Sequence, residues 1–417
     1  MRAKGANLMG VSRRVLLKGV GGAFAAPLVV RSAFAADSIK IAGIFDVSGG
    51  LDIYGQPMVA CLDLAIDELN AAGGLLGRPL QLIKYDPQSN VQLYTQYATA
   101  AATKEKVAVV FGGITSASRE AIRPLLHRYQ TPYFYPALYE GGVCDRNGFM
   151  TGSTPAQTIE KLIPFVTKKW GKKIYTVAAD YNYGQISAKW VRKYAKDNGA
   201  DVVGEEFFPL DVTEFGTTIS KIQAAKPDMV YSLLVGGNHM SFFRQWAASG
   251  MAGKIPIAST DFGVGNEHIV LTPDESDGVI AAYGYFQELD NPENKAFLGR
   301  LKAKFGAKTP YVNELAAETW YAVAHWARSV KAAGKLDREA VIAALEGGST
   351  IDGPGGKSTI DPATHHCKMD VHIGQVKNHA FTVLESYPQQ APADTAAVCD
   401  LKKNPDDNQQ YEISVAN

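Results

Sequence analysis

The run Ile39-Lys40-Ile41-Ala42-Gly43-Ile44-Phe45, closed by Asp46-Val47-Ser48-Gly49-Gly50, reads as a buried strand leaving through a turn. The next segment, about Pro57 to Ala72, puts Met58, Cys61, Leu62, Ala65 and Leu69 on one helical face and stops at Gly73-Gly74. Leu80 to Tyr85 is a second strand, Val91 to Lys104 a helix, Val107 to Phe111 a third strand, Ser116 to Tyr129 a helix and Pro132 to Tyr135 a fourth strand. Strands that alternate strictly with helices predict a parallel sheet covered on both faces.

The alternation restarts after the polar stretch Thr151-Gly152-Ser153-Thr154-Pro155. Strands are expected at Lys173 to Ala178, Asp201 to Phe207, Met229 to Leu234, Pro256 to Ser259 and Gly278 to Tyr283, with helices between them. Long helices around Asn291 to Phe305, Val312 to Ala333 and Asp337 to Glu346 then return to the first lobe. The Gly-rich Asp352-Gly353-Pro354-Gly355-Gly356 leads into a late β region, Cys367 to Val376 and Ala380 to Tyr387. The expected fold is α/β: two doubly wound parallel-sheet lobes joined by a multi-segment hinge. Residues 37–153 with 285–350 make lobe 1, residues 154–284 with 351–390 make lobe 2, and a polar, loosely attached tail covers 391–417. A ligand in such a fold collects at the carboxyl ends of the strands.

Composition narrows the function. The 417 residues are 46% hydrophobic with only four cysteines, which excludes a disordered chain and a disulfide-built scaffold. Residues 1–36 carry Arg13-Arg14-Val15-Leu16-Leu17-Lys18, an apolar run Gly19 to Val30 and Ala33-Phe34-Ala35-Ala36, the pattern of a twin-arginine-type signal peptide. That segment holds six basic residues and no acid, so from residue 37 onward 36 bases face 42 acids, a net charge of −6. Such a surface gives no reason to bind nucleic acid, and no apolar run from residue 37 on reaches the 18 residues of a membrane span. A soluble, exported, periplasmic protein is expected, without direct membrane insertion.

Several motifs lead away from catalysis. Gly355-Gly356-Lys357-Ser358 has Ile351 where a P-loop needs glycine, and Gly263-Val264-Gly265 reaches His268 where a dinucleotide motif needs its third glycine. His365-His366-Cys367, with His372 and His379, lacks a partner ligand pair and reads as solvated strand ends, so neither metal nor cofactor is expected. There is no Gly-X-Ser-X-Gly or His-Glu-X-X-His. Cys61 lies on an apolar helix face; one disulfide is expected among Cys144, Cys367 and Cys399, with Cys367–Cys399 as the working pair.

The informative stretch is Phe111-Gly112-Gly113-Ile114-Thr115-Ser116-Ala117-Ser118-Arg119, with Tyr135-Pro136-Ala137-Leu138-Tyr139-Glu140-Gly141. A helix opening directly after a strand offers unpaired N–H groups to a carbonyl or carboxylate oxygen, and Ser116 adds a hydroxyl; equally, Thr115, Ser116 or Ser118 could simply cap the helix. Tyr135, Tyr139, Tyr181, Tyr183 and Tyr283 fall at or just after strand ends, where flat rings and phenol hydroxyls suit a small planar ligand.

These residues resemble the type I periplasmic solute-binding proteins of ABC importers, in the branch that binds urea and short-chain amides and is related to leucine/isoleucine/valine binders. The resemblance rests on Ile66-Asp67-Glu68-Leu69-Asn70-Ala71-Ala72-Gly73-Gly74, Thr115-Ser116-Ala117-Ser118-Arg119, Tyr135-Pro136 with Tyr139-Glu140-Gly141, Asp180-Tyr181, and Tyr285-Phe286-Gln287. It implies a non-enzyme whose partners are a small polar solute and a membrane permease. Ser116, Thr115 and the following amides would hold the ligand carbonyl, Tyr135 and Tyr139 flank it, and Tyr181 close from lobe 2. Glu267, Gly237 and Tyr283 would add lobe 2 contacts. Ala137 departs from members with a hydroxyl there, and Asp180 could instead cap the helix near Gly184. The alternatives are an amino-acid binder, with Glu267, Asp46 or Asp86 meeting the ammonium, an exported amide hydrolase, and a ligand sensor that docks on a receptor.

Overall fold

In the computed structural model, which describes residues 37–412, the signal-like segment 1–36 lies outside the described residues. The chain begins with β1 (Ile39–Ile44), α1 (Asp52–Ala71), β2 (Leu80–Tyr85), α2 (Val91–Ala100), β3 (Val110–Gly112), α3 (Ser116–Arg128), β4 (Tyr133–Tyr135), β5 (Val143–Asp145) and β6 (Gly148–Met150). A five-stranded sheet in the order β2-β1-β3-β4-β6 results, every pairing parallel.

The second half supplies α4 (Ile159–Trp170), β7 (Lys173–Ala179), α5 (Asn182–Asp197), β8 (Asp201–Phe208), α6 (Gly216–Ala225), β9 (Met229–Leu233), α7 (Gly237–Ala248), β10 (Ile257–Ser259), α8 (Glu267–Val270), α9 (Pro273–Ser276) and β11 (Ile280–Tyr283). Then follow α10 (Pro292–Phe305), α11 (Glu314–Ala333), α12 (Arg338–Glu346), β12 (Thr350–Gly353), β13 (Gly356–Ile360), β14 (Cys367–Lys377), β15 (Ala380–Gln390), α13 (Ala393–Ala396) and β16 (Asn408–Gln410). The second sheet runs β12-β13-β14-β11-β10-β9-β7-β8, with β15 also on β14. Its β7 to β11 core is parallel, and β14 adds antiparallel to β11.

Burial explains the return of α10 and α11 to the first sheet. Phe297, Leu301, Val312, Ala316 and Ala317 pack with Cys61 and Leu64 of α1, and Trp326 sets its edge on Phe111 of β3 at 6.1 Å between centroids. Thus α11 packs alongside α1 and extends the cover of that face of the first sheet over β3 and β4. No helix among the described residues is long and apolar enough to cross a membrane.

Three expectations are corrected. The tail is not loosely attached: Cys399 bonds Cys144 across 255 residues, β16 pairs antiparallel with β5, and the Asp394 carboxylate accepts from the Thr154 hydroxyl at 2.9 Å and the Ala156 amide at 3.0 Å. Consequently Cys367 is not the partner of Cys399; it is buried and free on β14, as Cys61 is on α1. His365 and His366 are not solvated strand ends. They precede β14 in a turn where His365 has φ +59°, so strand alternation does not apply; His365 stacks on Phe149 at 4.4 Å and His366 meets the Tyr139 hydroxyl. Burial pushes His366 down to about 4, so it is neutral. Among the described residues no cluster of three or more His, Cys, Asp or Glu could hold a metal ion.

Candidate functional site

The carboxyl ends of β3, β4, β7, β9 and β10 converge on one narrow cavity between the two sheets. Lobe 1 lines it with Tyr54, Ile114, Thr115, Ser116, Tyr135, Ala137, Leu138 and Leu315; lobe 2 adds Tyr181, Tyr183, Val235 and Asp261. The lobes are closed on one another. The Gly236 amide donates to the Tyr54 hydroxyl at 2.7 Å, the Trp190 indole donates to the Glu140 carbonyl at 3.2 Å, and the Asn313 amide donates to the Val264 carbonyl.

Backbone geometry makes the lobe 1 wall. Gly113 has φ +84°, and a side chain at Gly112 would put its Cβ 2.3 Å from the Ile44 carbonyl oxygen, so both glycines are needed for β3 to turn into α3 against β1. Thr115 caps the helix: its hydroxyl oxygen accepts from the Ser118 amide at 3.1 Å, and the Ser118 hydroxyl oxygen accepts in return from the Thr115 and Ile114 amides at 3.0 Å. The capping box therefore uses Thr115 and Ser118 and leaves Ser116 out. The Ser116 and Ala117 amides, first and second in the helix, have no intrahelical acceptor and carry the positive end of the helix dipole.

Ser116 has its own commitment. Its hydroxyl donates to the Glu140 carboxylate, which is fully buried and also accepts from the Arg119 guanidinium at 2.9 Å. With its hydrogen spent, the serine oxygen offers lone pairs. Arg119 is held over the rings of Tyr139 (4.5 Å) and Tyr135 (5.2 Å) and takes no part in the cavity lining. The Tyr135 hydroxyl donates to the Ile114 carbonyl at 2.9 Å and the Tyr183 hydroxyl to the Thr260 carbonyl at 3.3 Å, so their rings, rather than free hydroxyl hydrogens, form the walls.

Asp261 is the feature missed in the sequence. It is 4% exposed, it lines the cavity, and its Oδ2 has no hydrogen-bond partner. Burial, reinforced by the nearby charges of Glu267 and Glu314, holds its carboxyl well above the usual range. The loop that carries it is fixed from three sides. Ser259 Oγ accepts from the Asp261 and Phe262 amides at 3.0 and 2.8 Å, Tyr283 donates to the Phe262 carbonyl at 2.6 Å, and Glu267 accepts from the Gly263 and Gly265 amides at 2.7 and 3.1 Å. His239 backs Glu267 at 3.4 Å. A signal was available: Thr260-Asp261 directly follows the strand read at Pro256 to Ser259, and so falls within a few residues of a strand's carboxyl end, as Ser116 and Tyr181 do.

The residues singled out from sequence thus divide. Ser116, Thr115, Tyr135 and Tyr181 line the cavity together. Tyr139 lies behind Tyr135, its hydroxyl between His366 and the Val143 amide; Glu267 and Tyr283 support the Asp261 loop; Gly237 opens α7 next to the Gly236 amide that reaches Tyr54. Asp46 and Asp86 are absent from the lining: Asp46 accepts from the Ser89 amide and the Tyr94 hydroxyl, Asp86 from Val47 and Ser48. Asp180 accepts from the Gln185 side chain, and the residue at the α5 N-cap is Tyr181.

Comparisons with known proteins agree with this architecture. A family model described as a periplasmic binding protein matches residues 38–380. The leucine-, isoleucine-, valine-, threonine- and alanine-binding protein of Pseudomonas aeruginosa is 28% identical over 84% of this chain and 90% of its own length. A solute-binding protein of an R. palustris ABC transporter, solved in complex with 4-hydroxybenzoate, superposes with a TM-score of 0.76 at 25% identity, covering 85% of this chain and 98% of that one. An amino acid ABC transporter substrate-binding protein from Pseudomonas fluorescens has the same fold, with a TM-score of 0.77 at 21% identity over 88% of this chain and 100% of that one.

Proposed function

This chain belongs to the periplasmic binding protein family, and on that premise we propose that it captures a small uncharged amide, urea or a short-chain aliphatic amide, for an ABC importer. The lobes close on the solute in the periplasm and the closed form docks on the membrane permease, with no chemical change to the solute. The observation that carries the amide reading is the direction of the Ser116 hydroxyl. Because its hydrogen goes to buried Glu140, the serine is an acceptor toward the cavity, and Ala137 adds no hydroxyl. A carboxylate ligand needs donors all round it; an amide needs donors for one oxygen and acceptors for its N–H groups.

The remaining lining suits that pattern. The Ser116 and Ala117 amides offer two donors to a carbonyl oxygen at the positive end of α3, while Asp261 Oδ2 and Ser116 Oγ accept from nitrogen. The faces of Tyr135 and Tyr181 suit a planar group. No side chain in the lining carries a fixed positive charge, which fits an uncharged solute. The Cys144–Cys399 bond fits an oxidising compartment.

A second reading has one observation in its favour. Asp261, unpaired and across the cavity from a helix N-terminus, could meet the ammonium of a small amino acid whose carboxylate sits on α3, and the P. aeruginosa relative is named as an amino-acid binder. Calorimetric titration of the purified protein with urea, acetamide, alanine and leucine separates the two. Binding of an amide with no response to alanine or leucine is expected; tight binding of either amino acid without an amide response overturns the amide assignment and leaves the family intact.

A further inference from the structure

Behind the cavity wall, the C-terminal tail touches the ligand site through a single carboxylate. Glu140 is 0% exposed and gathers three donors: the Ser116 hydroxyl, the Arg119 guanidinium and, from β16, the side-chain amide of Gln410. Gln410 and Arg119 bind Oε1, and Ser116 binds Oε2. The same residue's carbonyl accepts from Trp190 of the second lobe. Gln410 is brought there by three ties that hold the tail: the Cys144–Cys399 bond, the β16–β5 ladder, and the Tyr411 amide on the Gly142 carbonyl at 2.7 Å. Lys189 of α5 pairs with Glu412 just beyond.

We propose that Gln410 is a positioning residue for the ligand site: the disulfide-anchored tail presents its side-chain amide to Glu140, which in turn aims the Ser116 oxygen at the solute. This rests on the cavity being the ligand site and not on which solute fills it. A buried carboxylate with all its donors in place has one orientation; with a donor removed it is left under-satisfied and free to re-aim. The Glu140 oxygen that fixes Ser116 is then no longer pinned from the opposite side. The ligand site of lobe 1 is therefore incomplete without residues from the chain's end, and opening the Cys144–Cys399 bond reaches the solute through Gln410.

The test uses the full chain, with Gln410→Ala, Gln410→Glu, the Cys144→Ser/Cys399→Ser pair, and that pair combined with Gln410→Ala. Two readouts are taken: dissociation constants for urea, acetamide, alanine and leucine, and hydrogen exchange of the amides in 113–120 without ligand. Gln410→Ala is expected to weaken whichever of these solutes the parent protein binds by about fivefold, less than the roughly tenfold or more of a directly lost hydrogen bond to a charged group because the loss reaches the solute through Glu140 and Ser116, and to speed exchange in 113–120. Gln410→Glu, which sets a second carboxylate against Glu140, weakens it further. The cysteine pair gives the same two effects, and adding Gln410→Ala to it changes nothing more, since both act through one contact. A Gln410→Ala protein with unchanged affinity and unchanged exchange overturns the proposal, as do additive effects in the combined variant. If the parent binds an amino acid and no amide, the functional reading falls while the Gln410 effect is still measured on that amino acid. If it binds none of the four, the exchange data decide alone.

Discussion

The Tyr54→Phe substitution tests how the two lobes hold their closed form. Tyr54 sits on α1 with 2% of its surface exposed, and its hydroxyl accepts from the Gly236 amide at 2.7 Å across the cleft. Phenylalanine fills nearly the same volume, so no cavity opens and the α1 packing is kept. In the closed form, however, the Gly236 N–H loses its only acceptor; in the open form water supplies one. An unsatisfied buried donor costs about 1–3 kcal/mol, charged entirely to the closed state, which shifts the open-to-closed equilibrium by about 5- to 150-fold. Apparent affinity should fall by that factor for every solute the protein binds, because closure and not a particular solute contact has been weakened. Calorimetry across a solute series, with X-ray scattering of the ligand-free protein, reads both consequences: a uniform loss in affinity and a larger radius of gyration. A change confined to one solute, or affinities within twofold of the parent, would refute the claim that this bond helps set closure.

Other expectations follow from the same structure. Asp261→Asn replaces a buried carboxyl, whose ionisation burial already opposes, with an amide; thermal stability should rise while solute affinity falls by about fivefold, the scale of one neutral hydrogen bond lost when an N–H takes the place of the Oδ2 acceptor, and unchanged affinity would remove Asp261 from the site. Glu314, 1% exposed at the start of α11, is pushed by burial up to about 7 although Ser153 donates to it. A carboxyl raised in the folded state costs stability as pH climbs from its unfolded value near 4.5 to about 7 and levels off above that. Guanidinium unfolding should therefore show Glu314→Gln gaining up to about 3 kcal/mol on the parent at pH 8 and nothing at pH 4; a gain independent of pH would contradict this. Replacing both Cys144 and Cys399 with serine releases a 255-residue separation, for which chain entropy gives about 5 kcal/mol, or a Tm lower by about 5 °C in a domain of this size. Incubation with acetamide should yield no ammonia above background, and steady release would favour the hydrolase alternative.

The sequence made the layers legible because periodicity is a local property. The strands at Leu80–Tyr85 and Lys173–Ala179, and the helix after Ser116, came out within a residue or two, since alternating apolar runs and glycine exits need no knowledge of partners. What escaped reading depends on partners distant in the chain. The short strands Val143–Asp145 and Gly148–Met150 are too brief to show a period, and the first of them is a strand only because Asn408–Gln410 lies against it. The disulfide was misassigned for a related reason: Cys367 sits in a strand core, while Cys144 and Cys399 are brought to a Cα separation of 5.4 Å by that same ladder. In the site, Ser116, Tyr135 and Tyr181 were visible from their places at strand ends. Asp261 shares that placement but carried no motif, and Tyr54 enters the cavity from the middle of a helix turn with no strand-end signature. Tyr139, Glu267 and Tyr283 were recognised as important residues, yet their contacts serve the walls and loops behind the lining.

The bond between positions 144 and 399 also constrains how the molecule is made. Its two sulfurs stand 255 residues apart, and the loop between them takes in every strand of the second sheet, so the bond cannot be sealed until all of that sheet has been made. Closure of the loop therefore follows synthesis of everything it contains, and a copy cut before position 399 would never reach it, however well the strands had formed.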